Sequence, residues 1–232
     1  MPRPDAGVRQ GKEIELSAST AAGDERFDLA YLVLSGTTTA ARCPELLRGL
    51  LELGYSTVIA IPTPNASRTI ASRDLDDVGG VRVVESYFDA AIRPRPLRGV
   101  VLFAPCSFNS LNKLAHGIAD NLALSVVAEA IGRRTPVIVG PSLNAPLLAH
   151  PVAQASLKTL PSWGVTVVPP VDEGDGPRLA PSRVLLDAVR PYVREDHLKA
   201  GASKGEIGSP SRSHGRPMRN LGRVERRPSK GP

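Results

Sequence analysis

The sequence predicts an α/β fold, a doubly wound parallel sheet of about six strands held between two layers of helices. Short runs of Val, Leu, Ile and Ala alternate along the chain with stretches of helical periodicity, the order of right-handed βαβ units. Those runs are barely interrupted by polar residues, as in strands buried on both faces. The composition agrees: 41% of residues are apolar but only 4% are aromatic, so the core must be aliphatic.

The elements follow in order. Asp28 to Leu34 reads as the first strand and ends in Ser35-Gly36-Thr37-Thr38-Thr39. A helix is expected over 40–53, with Leu46, Leu47, Leu50 and Leu51 at helical spacing and Gly54 as its stop. Tyr55 to Ile61 is the second strand, closed by Pro62-Thr63-Pro64-Asn65, and a weaker helix covers 66–76. Val81 to Val84 is a short third strand, and Gly99 to Ala104 the fourth. From the loop after it, one long helix is expected to run to Ile131. Thr135 to Val139 is the fifth strand, followed by a helix over roughly 147–162; Gly164 to Val168 is the sixth, and a last helix spans 179–194. This is a Rossmann-like, three-layer α/β/α order.

The predicted organisation is a flexible leader over 1–26, one domain over 27–196 and a basic disordered tail over 197–232. Of 29 Lys and Arg residues, nine fall within 199–232 against two acidic residues, so the net charge of +6 belongs to the tail and the body is nearly neutral. That tail is too poor in apolar residues to order itself, and its expected state is solvated, so nucleic acid is not an expected partner. Two distant cysteines, Cys43 and Cys106, form neither a disulfide framework nor a metal-ligand spacing. No apolar stretch reaches the ~18 residues of a membrane span, and the N-terminus has no signal-type apolar run. The expected setting is cytoplasmic, with no membrane partner and no metal.

In a doubly wound sheet, ligands bind beyond the carboxyl ends of the strands. Four segments converge there by topology: Ser35 to Thr39, Thr63 to Asn65, Ser107 to Ser110, and Asn144. They are rich in hydroxyls, amides and glycine and carry no positive charge. A phosphate held there would use backbone N–H groups, hydroxyls and helix N-termini. Each segment also has a plainer reading. Ser35-Gly36-Thr37 suits a strand-to-helix turn, Thr63-Pro64-Asn65 a β-turn, Ser107 or Asn109 a helix cap, and Asn144 a loop residue bonded to its own backbone. The first turn lacks Gly-x-Gly-x-x-Gly, which disfavours a dinucleotide.

The run Pro105-Cys106-Ser107-Phe108-Asn109-Ser110, followed by Lys113 and by Gly117-Ile118-Ala119-Asp120-Asn121-Leu122, resembles a known pattern. The homo-oligomeric flavin-containing cysteine decarboxylases carry Pro-Ala-Ser-Ala-Asn-Thr, then Lys, then Gly-Ile-Ala-Asp-Asn-Leu. Thr63 to Ala66 resembles the Thr-Pro-Asn-Ala segment of that family, and Pro141 to Pro151 its Pro-Ala-Met-Asn segment ending in His-Pro. The resemblance covers roughly 28–181. It implies that Gly36, Thr37, Thr63, Pro64, Asn65, Ser107, Phe108, Asn109 and Ser110 bind flavin mononucleotide (FMN). It implies further that Asn144 contacts a small-molecule or peptidyl thiol substrate and that the chain assembles as a trimer or a multiple of one.

The family pattern is incomplete here. Its histidine, expected within Glu85 to Arg93, is absent, and Glu85, Tyr87 and Asp89 are the polar alternatives. Its clamp cysteine is missing from Asp172 to Leu179, where a Gly-rich flap or a plain surface loop remains. Cys106 reads as a buried filler rather than a redox group, His116 as a helix-surface residue and His150 as structural. The catalytic residues are unassigned. Three functions are therefore carried forward: a diverged FMN-dependent oxidoreductase or decarboxylase-like protein, a true cysteine decarboxylase, and a non-catalytic flavin-carrying subunit.

Overall fold

The computed structural model describes residues 25–194 except 94, 173 and 175. The expected leader (Glu25 and Arg26 apart) and the basic tail lie outside the described residues. The central sheet has six strands: β1 (Leu29–Leu34), β2 (Thr57–Pro62), β3 (Val81–Val83), β4 (Val100–Cys106), β5 (Val137–Pro141) and β6 (Thr166–Val167). All pair in parallel, in the order β3-β2-β1-β4-β5-β6. The helices are α1 (Cys43–Glu52), α2 (Ser72–Asp76), α3 (Phe108–Ala115), α4 (Leu122–Gly132), α5 (Ala145–Ala149), α6 (Pro151–Ser162) and α7 (Ser182–Val189). A two-residue antiparallel pair, β7 (Val171–Asp172) with β8 (Pro177–Arg178), stands apart from the sheet.

Strand alternation builds two cores. Ala30, Leu32 and Leu34 of β1, with Val100, Leu102 and Ala104 of β4, join Leu46, Leu47 and Leu50 of α1 and Leu185 and Val189 of α7. On the other face, Leu29, Tyr31, Val33, Val101 and Phe103 join Leu111 and Leu114 of α3, residues of α4, and Ala153 and Leu160 of α6. Between the pairs Phe103↔Val139 and Cys106↔Pro141 the register shifts, giving β4 an extra residue. Cys106 consequently joins the face of Phe103. The chain leaves β1 toward one layer and β4 toward the other. The sheet thus has a topological switch point between those two neighbouring strands.

The fold class agrees with the sequence, but four expected helices are broken. The helix expected over 40–53 opens as a 3-10 turn, Thr38–Arg42, before α1 starts with Pro44 in its first turn. The weak helix over 66–76 divides because Thr69 returns both its N–H and its hydroxyl to the Ala66 carbonyl, ending a short 3-10 turn before α2. The long helix ending at Ile131 is two helices. Gly117 takes a left-handed φ of 68°, which stops α3, and Asn121 caps α4. At His150 the backbone is extended, as a residue before proline prefers, so α5 ends and α6 begins there. The last helix shortens to α7 between Pro181 and Pro191. The chain then returns to its start: Phe27 pairs with Val193, and Arg194 meets Asp28 at 2.7 Å.

Candidate functional site

The loops after β1, β2 and β4, with the α3–α4 turn, enclose a cleft of about 390 Å³ at the carboxyl rim of the sheet. Its lining is Gly36, then Thr63 to Asn65, then Ser107, Asn109, Ser110 and Lys113, then Asp120 and Asn121. Seven of the expected site residues therefore meet in one place. Three do not line it. The Thr37 hydroxyl shares a hydrogen bond with that of Thr39, which also meets Ser142 after β5, each at 2.8 Å. Phe108 packs edge-on against His150, with ring centroids 5.3 Å apart. Asn144 caps α5, its Oδ1 accepting from Leu147 N at 3.1 Å.

Each wall has a local cause. A Cβ on Gly36 would stand 2.3 Å from the Asn65 carbonyl oxygen, so the β1 and β2 loops approach as closely as they do only because position 36 has no side chain. Ser107 caps α3: its Oγ accepts from Ser110 N at 3.3 Å, and its carbonyl takes Leu111 N. The N–H groups of Phe108 and Asn109, in the first turn, have no carbonyl of their own helix to bond.

Ser110 is buried and sits at the centre of a hydroxyl cluster. Ser35 Oγ donates to Ser110 Oγ at 2.9 Å, and Ser107 Oγ donates to it at 3.2 Å. A hydroxyl has two acceptor sites and one proton, so with both sites filled Ser110 keeps its own proton to donate. Beside the Phe108 and Asn109 N–H groups, this makes a cradle of neutral donors suited to phosphate or carbonyl oxygens.

The structure adds three lining residues, Lys113, Asp120 and Asn121, which the family-like pattern contains but to which the sequence alone assigns no site role. Lys113 follows Asn109 by one helical turn, so both share a face of α3. Asp120 and Asn121 arrive through the helix break. The legible signal was Asn121 before the apolar run Leu122 to Leu124, a capping pattern that a continuous-helix reading hides. Lys113 pairs with Asp120, and that hydrogen bond holds the Asp120 carboxyl below its ordinary range.

The candidate acid–base groups lie elsewhere. Glu85 accepts from Ser72, Asp89 pairs with Arg82, and Tyr87 meets Ser125 on α4. His116 bonds the Asn112 carbonyl on the exposed side of α3, and His150 caps α6. Cys106 is fully buried, and burial pushes its thiol up from 9.0, which disfavours the thiolate that redox or nucleophilic chemistry needs. In the Gly-rich segment, Asp172 Oδ1 accepts from Gly174 N and Gly176 N, making a turn between β7 and β8; none of its described residues lines the cleft.

A protein-family model described as Flavoprotein matches residues 19–191, and the chain belongs to that family. Among curated relatives, the phosphopantothenoylcysteine decarboxylase of Arabidopsis thaliana is 33% identical over 111 residues, 45% of this chain and 53% of that protein. The coenzyme A biosynthesis bifunctional protein CoaBC of Thermococcus kodakarensis is 25% identical over 175 residues, 73% of this chain and 42% of that protein. The chain thus spans about half the length of these relatives. Among solved structures, HAL3 from Cryptococcus neoformans has a TM-score of 0.60 at 26% identity, covering 70% of this chain and 93% of that one. The FMN binding protein AtHal3 has a TM-score of 0.60 at 22% identity, covering 70% and 94%. Among the described residues no helix is long and apolar enough to cross a membrane.

Proposed function

We propose that this protein binds FMN in the cleft between the β1, β2 and β4 loops and is a decarboxylase-like flavoprotein whose own reaction has diverged from cysteine decarboxylation. The observation that carries the reading is the convergence of Gly36, Thr63 to Asn65, Ser107, Asn109 and Ser110 on one cleft of about 390 Å³. That volume lies within the ~300–1,000 Å³ of ordinary ligand sites. The cleft suits this group: the missing Cβ at Gly36 opens the approach, and Ser110 with the start of α3 supplies the donors. When bound, FMN supplies the electron-accepting chemistry. The chain's own residues bind the flavin through neutral donors, orient it against the rim and exclude water from one side.

Divergence is supported by the lining, in which no imidazole or thiol stands among the described residues. Asn144, the substrate contact implied by resemblance, has its Oδ1 engaged in a cap. A thiol substrate, a cytoplasmic setting and a homo-oligomer belong to the same reading. The free cysteines support the second of these, and exposed apolar side chains near the cleft support the third. The test is the visible spectrum of the purified chain, with released cofactor identified by mass and stripped protein titrated with FMN. A flavin spectrum and uptake of FMN are expected; a colourless protein that takes up none refutes the cofactor. Incubation with peptidyl-cysteine and with phosphopantothenoylcysteine is expected to release no carbon dioxide, and release would restore true cysteine decarboxylation.

A further inference from the structure

Among the described residues lining the cleft, Lys113 and Asp120 are the charged ones, and they are paired with each other. Asp120 is held at both oxygens. Oδ2 takes the Lys113 ammonium, and Oδ1 accepts from Asn121 Nδ2 at 3.0 Å. Asn121 Oδ1 in turn accepts from Leu124 N at 3.1 Å and so caps α4. A relay therefore joins α3 to the start of α4 along one wall. Its members stay partly open to solvent: the Lys113 side chain is 28% exposed and that of Asp120 47%.

An ammonium has three donors, and Asp120 occupies one, leaving two for a ligand. A phosphate monoester brings a charge of about −1.5 to −2 at neutral pH, whereas the ring system and hydroxylated side chain of a flavin bring none. Neutral donors at the start of α3 can serve phosphate and carbonyl oxygens alike, whereas the free donors of an ammonium add a full charge that a phosphate monoester alone can answer. We propose that Lys113 makes this cleft prefer a phosphorylated flavin to the same flavin without phosphate, and that Asp120 sets the strength of that preference as a fixed counter-charge. The inference rests on the FMN reading above and assigns its specificity to one ion pair. Because Asp120 stays ionised, it competes with the ligand for Lys113 at every neutral pH and repels the incoming dianion.

The test is titration of the full chain, freed of bound flavin, with FMN and with riboflavin in parallel. Wild-type chain is expected to favour FMN. Lys113→Met is expected to lower FMN affinity on the order of tenfold while leaving riboflavin affinity in place. Asp120→Asn is expected to raise the FMN-to-riboflavin ratio. Retained riboflavin binding reports a folded cleft in each variant. Loss of both flavins together in Lys113→Met, or an unchanged ratio in Asp120→Asn, overturns the role of the pair. Equal affinity of the wild-type chain for both flavins overturns the role of Lys113 while leaving flavin binding intact. A wild-type chain that binds neither removes the FMN reading itself.

Discussion

Two positions in the cleft carry separable effects. At Gly36 the constraint is steric: any side chain meets the Asn65 backbone, which cannot rotate aside. Gly36→Ala is expected to cost about 1–3 kcal/mol of stability, read from the denaturant midpoint, and to weaken flavin uptake as the β1 and β2 loops part. An unchanged midpoint would show that the loops yield freely. At Asn109 the effect is electrostatic. Asn109→Asp keeps the size and places a carboxylate in the cleft, and is expected to weaken FMN binding by about 1–3 kcal/mol in a fluorescence titration. Equal affinities would mean that the ligand lies away from this wall. Phe108, next to Asn109 in sequence, faces His150 instead, because adjacent positions on a helix point about 100° apart.

The break between α3 and α4 is the element that completes the cleft. Gly117 ends one helix in the left-handed region, and Asn121 starts the next, so the turn carries Asp120 and Asn121 back over the carboxyl rim. Asn121→Ala removes the bond to Leu124 N and is expected to lower stability by about 1 kcal/mol, read by thermal melting, and to lower FMN affinity with it. Lower stability with full affinity would separate the cap from the cleft. The helix break was not legible because apolar periodicity runs through it; only the glycine and the capping asparagine mark it, and both also occur within loops and helices of other kinds. The strands were legible because aliphatic runs buried on both faces have few alternative structures.

At the scale of the molecule, four buried acids titrate late. Burial raises the Cys43 thiol from 9.0 to about 12 and the Tyr31 phenol from 10.0 to about 12, and it raises Cys106 and Tyr55 as well. Above the ordinary thiol value the unfolded chain has released protons that the folded chain still holds, so stability falls as pH rises from about 9 toward 12. Each group removes at most about 1.4 kcal/mol per pH unit in that window. Denaturant midpoints at about pH 8 and about pH 10 are expected to fall with pH; equal midpoints would mean that these groups ionise without unfolding. Assembly is a second property of this scale. Phe88 is 80% exposed, Tyr87 and Ile118 are exposed too, and Tyr87 reaches Ser125, which also bonds the Ala119 carbonyl beside the cleft. Such a patch on a lone chain favours association. Light scattering is expected to give a homo-oligomer that Phe88→Asp weakens, and a monomeric wild-type chain would remove this part of the proposal.

From the chain alone come the parallel sheet and the set of loops at its rim. Aliphatic runs and their alternation with helices restrict the topology, and parallel topology brings the loops after β1, β2 and β4 to one end whatever their side chains do. Folding in three dimensions supplies the remainder: the turn that brings Lys113, Asp120 and Asn121 into the cleft, and the directions that take Thr37, Phe108 and Asn144 out of its lining. Those outcomes depend on which way a side chain leaves its helix and where a helix stops. Contacts between residues distant in sequence settle both; local signals such as Gly117 and Asn121 mark where a stop can fall but not what it brings together.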